Sequence, residues 1–429
     1  MKKINIFWFR RDLRLKDNRG LFQAAASGLP VLPVFIFDTN ITSDLQADDP
    51  RLQFIYEALI SINSELAAFG GSLLILKGDP IAEWEKLSAR YDINAVYVNK
   101  DYEPYAIERD NVVEALLRER GTSLLRSRDQ VIFDEKEIVK SDGLPYTVFT
   151  PYKNKWISKI KEILPLQDFS QDFHNKFLKV NTDFPSQSEM GIGPGRIKVK
   201  SYDLTTIRDY DRYRDFPAAD KTSYLGPHLR FGTVSIRKLV EIALKENQVF
   251  LGELIWREFF MQILFNFPTV VTENFKSRFD NIQWRNNEEE FGRWCAGETG
   301  YPLVDAGMRQ LNETGFMHNR VRMITAGFLC KHLLIDWRWG EAYFAQKLLD
   351  YELSSNNGNW QWAAGTGCDA VPWFRVFNPL LQREKFDHDW EYVKTWVPGV
   401  NGIDYPSPMV ENDMARKRAL SSYKSGLKF

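Results

Sequence analysis

Three stretches in the second half of this 429-residue sequence set strongly polar groups into apolar, aromatic surroundings. In residues 252–259, Glu253 and Arg257 stand four apart with Trp256 on the adjoining face. An i,i+4 Glu–Arg pair taken alone describes a surface salt bridge. With apolar neighbours on nearly every side, it points instead to a buried or pocket-lining position. Residues 317–323 place His318, Asn319, Arg320 and Arg322 before an apolar helical pattern. Guanidinium groups are planar forks suited to phosphate or carboxylate, although a helix start with solvated arginines reads the same way. Residues 350–362 carry two acids, three asparagines and a glycine directly before Trp360-Gln361-Trp362. That composition makes a turn. It also makes a polar wall beside stacking aromatics, as a flat heteroaromatic cofactor or an extruded base requires.

Other chemistries lack their residues. The five histidines show neither H-x-x-x-H nor H-E-x-x-H spacing, which argues against a metal hydrolase. No G-x-S-x-G elbow occurs, no P-loop, and no G-x-G-x-x-G opening a helix after a strand. Gly191-Ile192-Gly193-Pro194-Gly195 follows a polar stretch and reads as a loop. Cys295, Cys330 and Cys368 are too few and scattered for a disulfide framework or zinc cluster. Lys and Arg number 56 against 57 Asp and Glu, so any nucleic-acid surface must be a local patch on a near-neutral protein. The apolar run at 4–9 ends in Arg10-Arg11-Asp12, too short for a signal peptide or a membrane span. A soluble, cytoplasmic protein is expected.

The elements that must position these residues fall into two classes. Short apolar runs at 4–9, 31–37, 73–76 and 95–98 alternate with helical patterns at 51–69, 80–91 and 103–120. Apolar strands separated by helices imply a doubly wound parallel sheet, an α/β domain over 1–130. Periodicity fades from 131 to 199, and the Asp, Gln, Asn, Ser, Pro and Gly of 167–195 suit an interdomain linker. From 200 to 429 helical spacing recurs, at 234–246, 251–265, 302–312, 320–334 and 340–349, giving an all-helical domain. Ten of the 13 tryptophans lie after residue 250.

Taken together, these residues resemble the DNA photolyase/cryptochrome family over nearly the whole chain. Trp8-Phe9-Arg10-Arg11-Asp12-Leu13-Arg14-Leu15 is similar to its N-terminal signature. Residues 222–227, 252–259, 299–322, 336–338 and 356–369 are similar to its flavin-binding signatures, in the same order. The resemblance implies an α/β antenna domain joined to a helical FAD-binding domain, and within the family a class I cyclobutane pyrimidine dimer photolyase. Carried over by motif, Tyr210, Thr222, Ser223, Tyr224, Leu225, Gly226 and Arg257 would contact FAD phosphates and ribityl. Arg322 would pair with Asp350 beside the isoalloxazine, Glu352 would follow along that wall, and Asn356 would face flavin N5. Plant cryptochromes carry Asp at that last point, so Asn356 favours repair over signalling. The chain departs from the family where Tyr224 and Gly226 replace a frequent Arg and Ser, and where Glu352 replaces an Asp.

The substrate pocket so implied is Glu253, Trp256, Asn319, Met323 and Trp362, the tryptophans wedging an extruded dimer and Glu253 meeting the thymine edge. Arg214, Arg320, Arg375 and Gln382 match DNA-contacting positions. Arg416, Lys417, Arg418, Lys424 and Lys428 form a basic stretch that suits DNA or a solvated tail equally. Enzymes that repair 6-4 photoproducts carry a second histidine after the one matching His318, and Asn319 stands there. Trp360, Trp337 and Trp284 match the family's electron relay. Glu103-Pro104-Tyr105 looks more like chains that take a deazaflavin or a second flavin as antenna than those using methenyltetrahydrofolate. The implied activity is light-driven repair: excited reduced FAD passes one electron to a flipped-out cyclobutane dimer in DNA and receives it back. The alternative is a cryptochrome-like photoreceptor that signals through a partner. A monomer with no membrane partner and no metal is expected.

Overall fold

The computed structural model describes residues 2–170, 173, 175–179 and 183–427. Its contacts divide the chain into two compact units. The first comprises Met1–Ile138, Trp156–Ser201 and Leu225–Ile242, and the second Val139–Lys155, Tyr202–Tyr224 and Ala243–Phe429.

In the first unit five strands, β1 (Ile4–Phe9), β2 (Val31–Asp38), β3 (Leu74–Gly78), β4 (Ile93–Asn99) and β5 (Ser123–Ser127), form one sheet. Their order is β3-β2-β1-β4-β5 with every neighbouring pair parallel. Successive side chains of β1 serve opposite faces. Phe7 and Phe9 pack with Leu21 and Ala24 of the helix Arg19–Ala26 and with Leu52, Leu59 and Leu66 of Pro50–Ala68. Ile4, Ile6 and Trp8 pack with Trp84 and Leu87 of Pro80–Arg90 and with Val113 and Leu117 of Pro104–Glu119. Three of these helices begin with proline, whose fixed φ suits a first helical position that needs no N–H. This is the doubly wound α/β architecture expected of the N-terminal part. β5 and the helix Arg19–Ala26 went unrecognised in the sequence. β5 is a short edge strand with polar ends, and that helix is only eight residues long.

The arginine-rich signature after β1 ties the carboxyl ends of the strands together. Arg10 pairs with Asp110 at 2.5 Å, Arg11 with Asp101 at 3.1 Å and Glu103 at 2.9 Å, and Arg14 with Asp129 at 2.6 Å. Burial alone would raise the Asp101 carboxyl, but Arg11, Arg10, Arg230 and Arg109 together hold it well below the usual range.

Residues 131–199, expected as linker, contain the 15-residue helix Phe149–Ile163. Phe149, Tyr152, Trp156 and Ile160 are buried along it at steps of three and four. That periodicity was masked by the four lysines of the helix, Lys153, Lys155, Lys159 and Lys161. By contacts, 139–155 group with the second unit and the flanking 131–138 and 156–199 with the first.

Among its described residues the second unit contains no strand. Its core gathers the helices Pro302–Thr314, Asn319–Gly327, Trp337–Lys347 and Leu353–Ala364 around Trp294, Met308, Val321, Leu329, Trp337 and Trp360. Side-chain caps start several of them: Asn247 for Gln248–Asn266, His318 for Asn319–Gly327, Asp336 for Trp337–Lys347. The pattern at 320–334 is not one helix. It passes at Phe328 into a wider π-helical turn that ends at Leu334, with φ +53°. Within that turn Lys331 is buried, donating to the carbonyls of Ala364 at 2.7 Å and Trp373 at 3.1 Å, with its ammonium over the Tyr423 ring. Burial lowers its pKa to about 7.

Candidate active site

The helix Gln248–Asn266 is buried almost all round, so the few positions left open on it mark a cavity. Leu251, Leu254, Ile255, Phe259 and Met261 are core residues, whereas Glu253, Trp256 and Arg257 form a partly open stripe. These three line a cavity of about 300 Å³ with Arg214, Phe260, Asn319, Met323, Ser355, Asn359 and Trp362. A second cavity of about 330 Å³ is lined by Asp215, Arg320, Met323, Trp362, Arg375, Phe377, Gln382, Lys385 and Phe386. Met323 and Trp362 belong to both, so the two depressions share a wall. The residues assigned to a lesion pocket from sequence meet in the first cavity, and Arg320, Arg375 and Gln382 meet in the second.

The stripe is electrostatically tuned. Arg214 Nη1 donates to Glu253 Oε1 at 2.7 Å. Burial raises the Glu253 pKa, and Arg214, the strongest opposing influence, offsets part of that rise. Trp256 lies face to face with Phe149, 3.6 Å between centroids and 7° between planes, and packs against Phe260. Its indole is therefore fixed before any ligand arrives. Arg320 is held by Asp215, at 2.5 Å through Nη2 and 3.2 Å through Nε, and lies over the Phe386 ring. His318 is buried as the cap of its helix. Burial, with Arg322 and Arg320 nearby, lowers its pKa to about 4, so it is neutral at pH 7.

A second group lies deeper. Arg322 Nη2 meets Asp350 Oδ2 at 2.9 Å while its Nε donates to the Met317 carbonyl at 2.8 Å. Arg257 reaches Glu352 at 3.4 Å. Asn356 gives its amide N–H groups to Glu341, at 2.8 Å to Oε1 and 3.1 Å to the backbone carbonyl. Tyr210 stands edge-on to Phe250 with Arg214 over its ring. In the loop that follows, Ser223 accepts from the Asp203 N–H through its carbonyl, and Tyr224 donates to Asp220. Tyr224 has φ +53°, a left-handed conformation that costs a bulky residue energy. Leu225 and Gly226 open the helix Leu225–Arg230, which belongs to the first unit.

Three polar atoms along these segments are buried without a partner in the protein: Thr222 Oγ1, Asp350 Oδ1 and Ser354 Oγ. Each unpaired group costs about 1–3 kcal/mol. Asp350 Oδ1, on the carboxylate that Arg322 holds, and the Thr222 and Ser354 hydroxyls fit a ligand rich in hydroxyls, phosphates and ring nitrogens, as FAD is.

Trp360 and Trp337 are buried in one aromatic cluster, with Trp284 packed at its margin. Trp360 stands edge-on to Phe344 at 4.9 Å and Trp294 at 6.1 Å, and Trp337 Nε1 donates to Asn274 at 2.9 Å. Of the basic C-terminal stretch, Arg416, Lys417, Arg418 and Lys424 lie on the helix Asn412–Gly426, where Arg418 donates to the His332 carbonyl at 2.6 Å. Lys428 lies outside the described residues.

Sequence reading missed Phe260, Ser355, Asn359, Asp215 and Glu341. Phe260 continues the stripe of Glu253, Trp256 and Arg257 at helical spacing. Ser355, Asn359 and Trp362 likewise share one face of Leu353–Ala364 at steps of four and three. That stretch, open as a turn or a polar wall in the sequence, is a helix from Leu353, and its polar residues form the wall.

Two family models match the chain: the "DNA photolyase" model over residues 5–170 and the "FAD binding domain of DNA photolyase" over 250–404. A deoxyribodipyrimidine photo-lyase of Halobacterium salinarum is 36% identical, the match spanning 98% of this chain and 99% of that protein. The chain belongs to the DNA photolyase family. Among solved structures, a bacterial class III photolyase from Agrobacterium tumefaciens superposes with a TM-score of 0.89 at 33% identity, over 100% of this chain and 98% of that one. An archaeal photolyase from Sulfolobus tokodaii, described with two FAD molecules, gives 0.86 at 34% identity over 98% and 99%. The α/β unit and the helical unit are thus those of a photolyase. No helix among the described residues is long and apolar enough to cross a membrane.

Proposed function

We propose that this photolyase repairs cyclobutane pyrimidine dimers in DNA by light-driven electron transfer, with FAD as its working cofactor. The observation that carries the reading is the convergence of Glu253, Trp256, Asn319, Met323 and Trp362 on one cavity. A dimer stacks poorly in the duplex, so extruding it is cheap. Trp256, fixed by Phe149, and Trp362 offer flat apolar faces to receive it. Glu253 and Asn319 supply the polar contacts that the thymine edges lose on leaving the helix. Arg320, Arg375, Gln382 and Lys385 on the neighbouring cavity provide the donors for a phosphate backbone, and Arg214 contributes from the lesion side.

FAD would be held by Tyr210, Thr222, Ser223, Tyr224, Leu225, Gly226 and Arg257 toward its phosphates and ribityl. Asp350, Arg322, Glu352 and Asn356 would hold the ring. When bound and reduced, it supplies on blue-light excitation the electron that opens the cyclobutane ring and takes it back afterwards. The chain contributes exclusion of water, alignment and a polar surface for the transient charge on the dimer. With its N–H groups engaged by Glu341, Asn356 directs its remaining amide oxygen elsewhere, which suits the N5 edge. Trp360, Trp337 and Trp284 would carry electrons inward when oxidised flavin is photoreduced. In the first unit, Glu103 binds Arg11 and Arg230, and Tyr105 donates to Asp38 at 2.7 Å. These polar groups stand at the carboxyl ends of the strands, and the Glu103-Pro104-Tyr105 motif favours a deazaflavin or flavin antenna over methenyltetrahydrofolate. The working unit is a monomer.

The test takes protein with flavin reduced without oxygen and an oligomer containing one cyclobutane thymine dimer. Under blue light thymine absorbance should recover, and not in the dark. Glu253→Ala should lower the yield with flavin still bound. A flavin-loaded, DNA-binding protein that restores no absorbance would overturn repair and favour the photoreceptor reading.

A further inference from the structure

The Arg214–Glu253 pair joins two residues with different tasks in the proposed reaction: one assigned to the DNA backbone, one to the lesion. We propose that the pair is a partner-exchange device, in which a DNA phosphate draws Arg214 away from Glu253 and Glu253 takes up one proton from solvent as the backbone docks. This rests on the reading that the cavity receives DNA.

The geometry permits the exchange. The two side chains meet through one hydrogen bond of 2.7 Å rather than a two-pronged fork, and Arg214 is 27% exposed, within reach of an incoming phosphate. Among the other charged groups near Glu253, Lys153 is a weaker cationic influence, Arg257 lines the same cavity from the same helix, where it also reaches Glu352, and Asp215 adds negative charge and is itself engaged by Arg320. Without Arg214, a carboxylate in this half-buried position would lose its strongest positive neighbour. Tyr210 accompanies Arg214 as an uncharged neighbour, its own ionisation suppressed by burial.

Charge balances at each end. Before docking, guanidinium faces carboxylate. Afterwards, guanidinium faces phosphate diester, and the carboxylate has become a neutral carboxyl by gaining the solvent proton. One negative charge enters and one is extinguished, so the cavity does not accumulate repulsion. The chemical consequence lies in donor capacity. A carboxylate only accepts hydrogen bonds, whereas a carboxyl donates one. A protonated Glu253 can therefore donate to a thymine carbonyl, and it spares the dimer's transient negative charge a like-charged neighbour. Backbone docking and readiness for chemistry become one event, with Arg214 as the positioning residue.

The experiment counts protons in the dark. Flavin-loaded protein is titrated with an undamaged single-stranded oligomer and with a dimer-containing one, in buffers of differing ionisation enthalpy. Binding of either oligomer should take up as much as one proton per site near neutral pH. The uptake should vanish in Glu253→Gln, measured at oligomer concentrations that saturate that variant. It should vanish in Arg214→Gln, whose Glu253 is already protonated, and return in Arg214→Lys. An infrared carboxyl signal that appears on binding, and is lost in Glu253→Gln, identifies the group. Binding by wild type without uptake overturns the proposal, as does uptake that survives Glu253→Gln. Uptake with the damaged oligomer alone also overturns it, because the lesion rather than the phosphate would then drive protonation. Failure of either oligomer to bind sinks the DNA-repair reading itself, a distinct result.

Discussion

Gly340 offers a direct test of how tightly the aromatic cluster around Trp360 is built. A Cβ at Gly340 would come within 2.1 Å of Trp360 Cη2, 2.4 Å of Cζ3 and 2.6 Å of Leu329 Cδ2. Ordinary carbon contacts lie at about 3.5–4.0 Å, so the indole would have to retreat by more than about 1 Å. It has nowhere easy to go, since Trp360 is 2% exposed and bounded by Phe344 and Trp294. Overpacking of this kind costs about 1–3 kcal/mol, and a rigid ring hemmed on several sides belongs near the upper end. Against this, alanine inside the helix Trp337–Lys347 gains about 1 kcal/mol over glycine. Gly340→Ala should therefore destabilise the protein by about 2 kcal/mol. In a Trp360→Phe background the two clashing indole atoms are gone and only the flexible end of Leu329 must give, so the same substitution should cost less by about 1 kcal/mol or more, its effect nearly vanishing. The assay is urea denaturation of the four proteins by far-UV circular dichroism. Additive effects, or a Gly340→Ala protein as stable as wild type, would refute this account of the packing.

Three further outcomes are expected. Thr222→Val removes an unpartnered buried hydroxyl, so it should leave the flavin-free protein as stable or slightly more stable while weakening FAD by roughly tenfold, about 1.4 kcal/mol, measured by flavin titration. Arg375→Ala should weaken DNA binding and reduce the salt slope by about one unit, measured by fluorescence anisotropy across a salt series. His318, at about 4 when folded against an ordinary 6.5, binds its proton less readily in the native state, so its contribution is complete above pH 6.5 and lost as pH falls toward 4. Relative to a His318→Asn variant, wild type should lose about 2 kcal/mol of stability between pH 6.5 and 4.5, read from urea midpoints.

The α/β unit was legible because its strands are continuous apolar runs and its helices keep a clear stripe. Residues 4–9 and 50–68 could hardly be read otherwise. The helical unit was legible as a class but less so in detail. Its central helices are buried on most sides, so hydrophobic periodicity weakens where the site is. Along Gln248–Asn266 the informative positions were the exceptions, Glu253, Trp256 and Arg257. Around Ser355 and Asn359 the signal inverted. Asparagine, serine and glycine speak for a turn, and tertiary packing overrides them: Asn357 Nδ2 donates to the Val270 carbonyl at 2.8 Å, and Gly358 admits the Phe260 ring at a spot where a Cβ would lie 2.2 Å from it. Glu341 carried no sequence signal. It follows Trp337 by four residues as an ordinary polar helix position, and only the fold brings it to Asn356.

The loop 220–224 concentrates costs that a chain would not keep without a return. Tyr224 holds φ at +53° and Asp220 at +45°; aspartate tolerates that region, but for tyrosine it is worth about 1–2 kcal/mol of strain. Between them Thr222 buries an unanswered hydroxyl, about 1–3 kcal/mol more. The partners that hold Tyr224, Asp220 at its hydroxyl and Phe316 at its ring, fix the loop's shape but leave Thr222 unanswered. A cofactor that accepts or donates at Thr222 offsets the hydroxyl's cost and makes the strained turn the favoured one. Amide hydrogen exchange at 220–224 should accordingly slow by tenfold or more when flavin is bound, whereas the helix Asn412–Gly426 should exchange at the same rate with and without it. Equal protection of the loop in loaded and stripped protein would mean that Thr222 and Tyr224 serve the fold alone, and the flavin loop would have to be sought elsewhere.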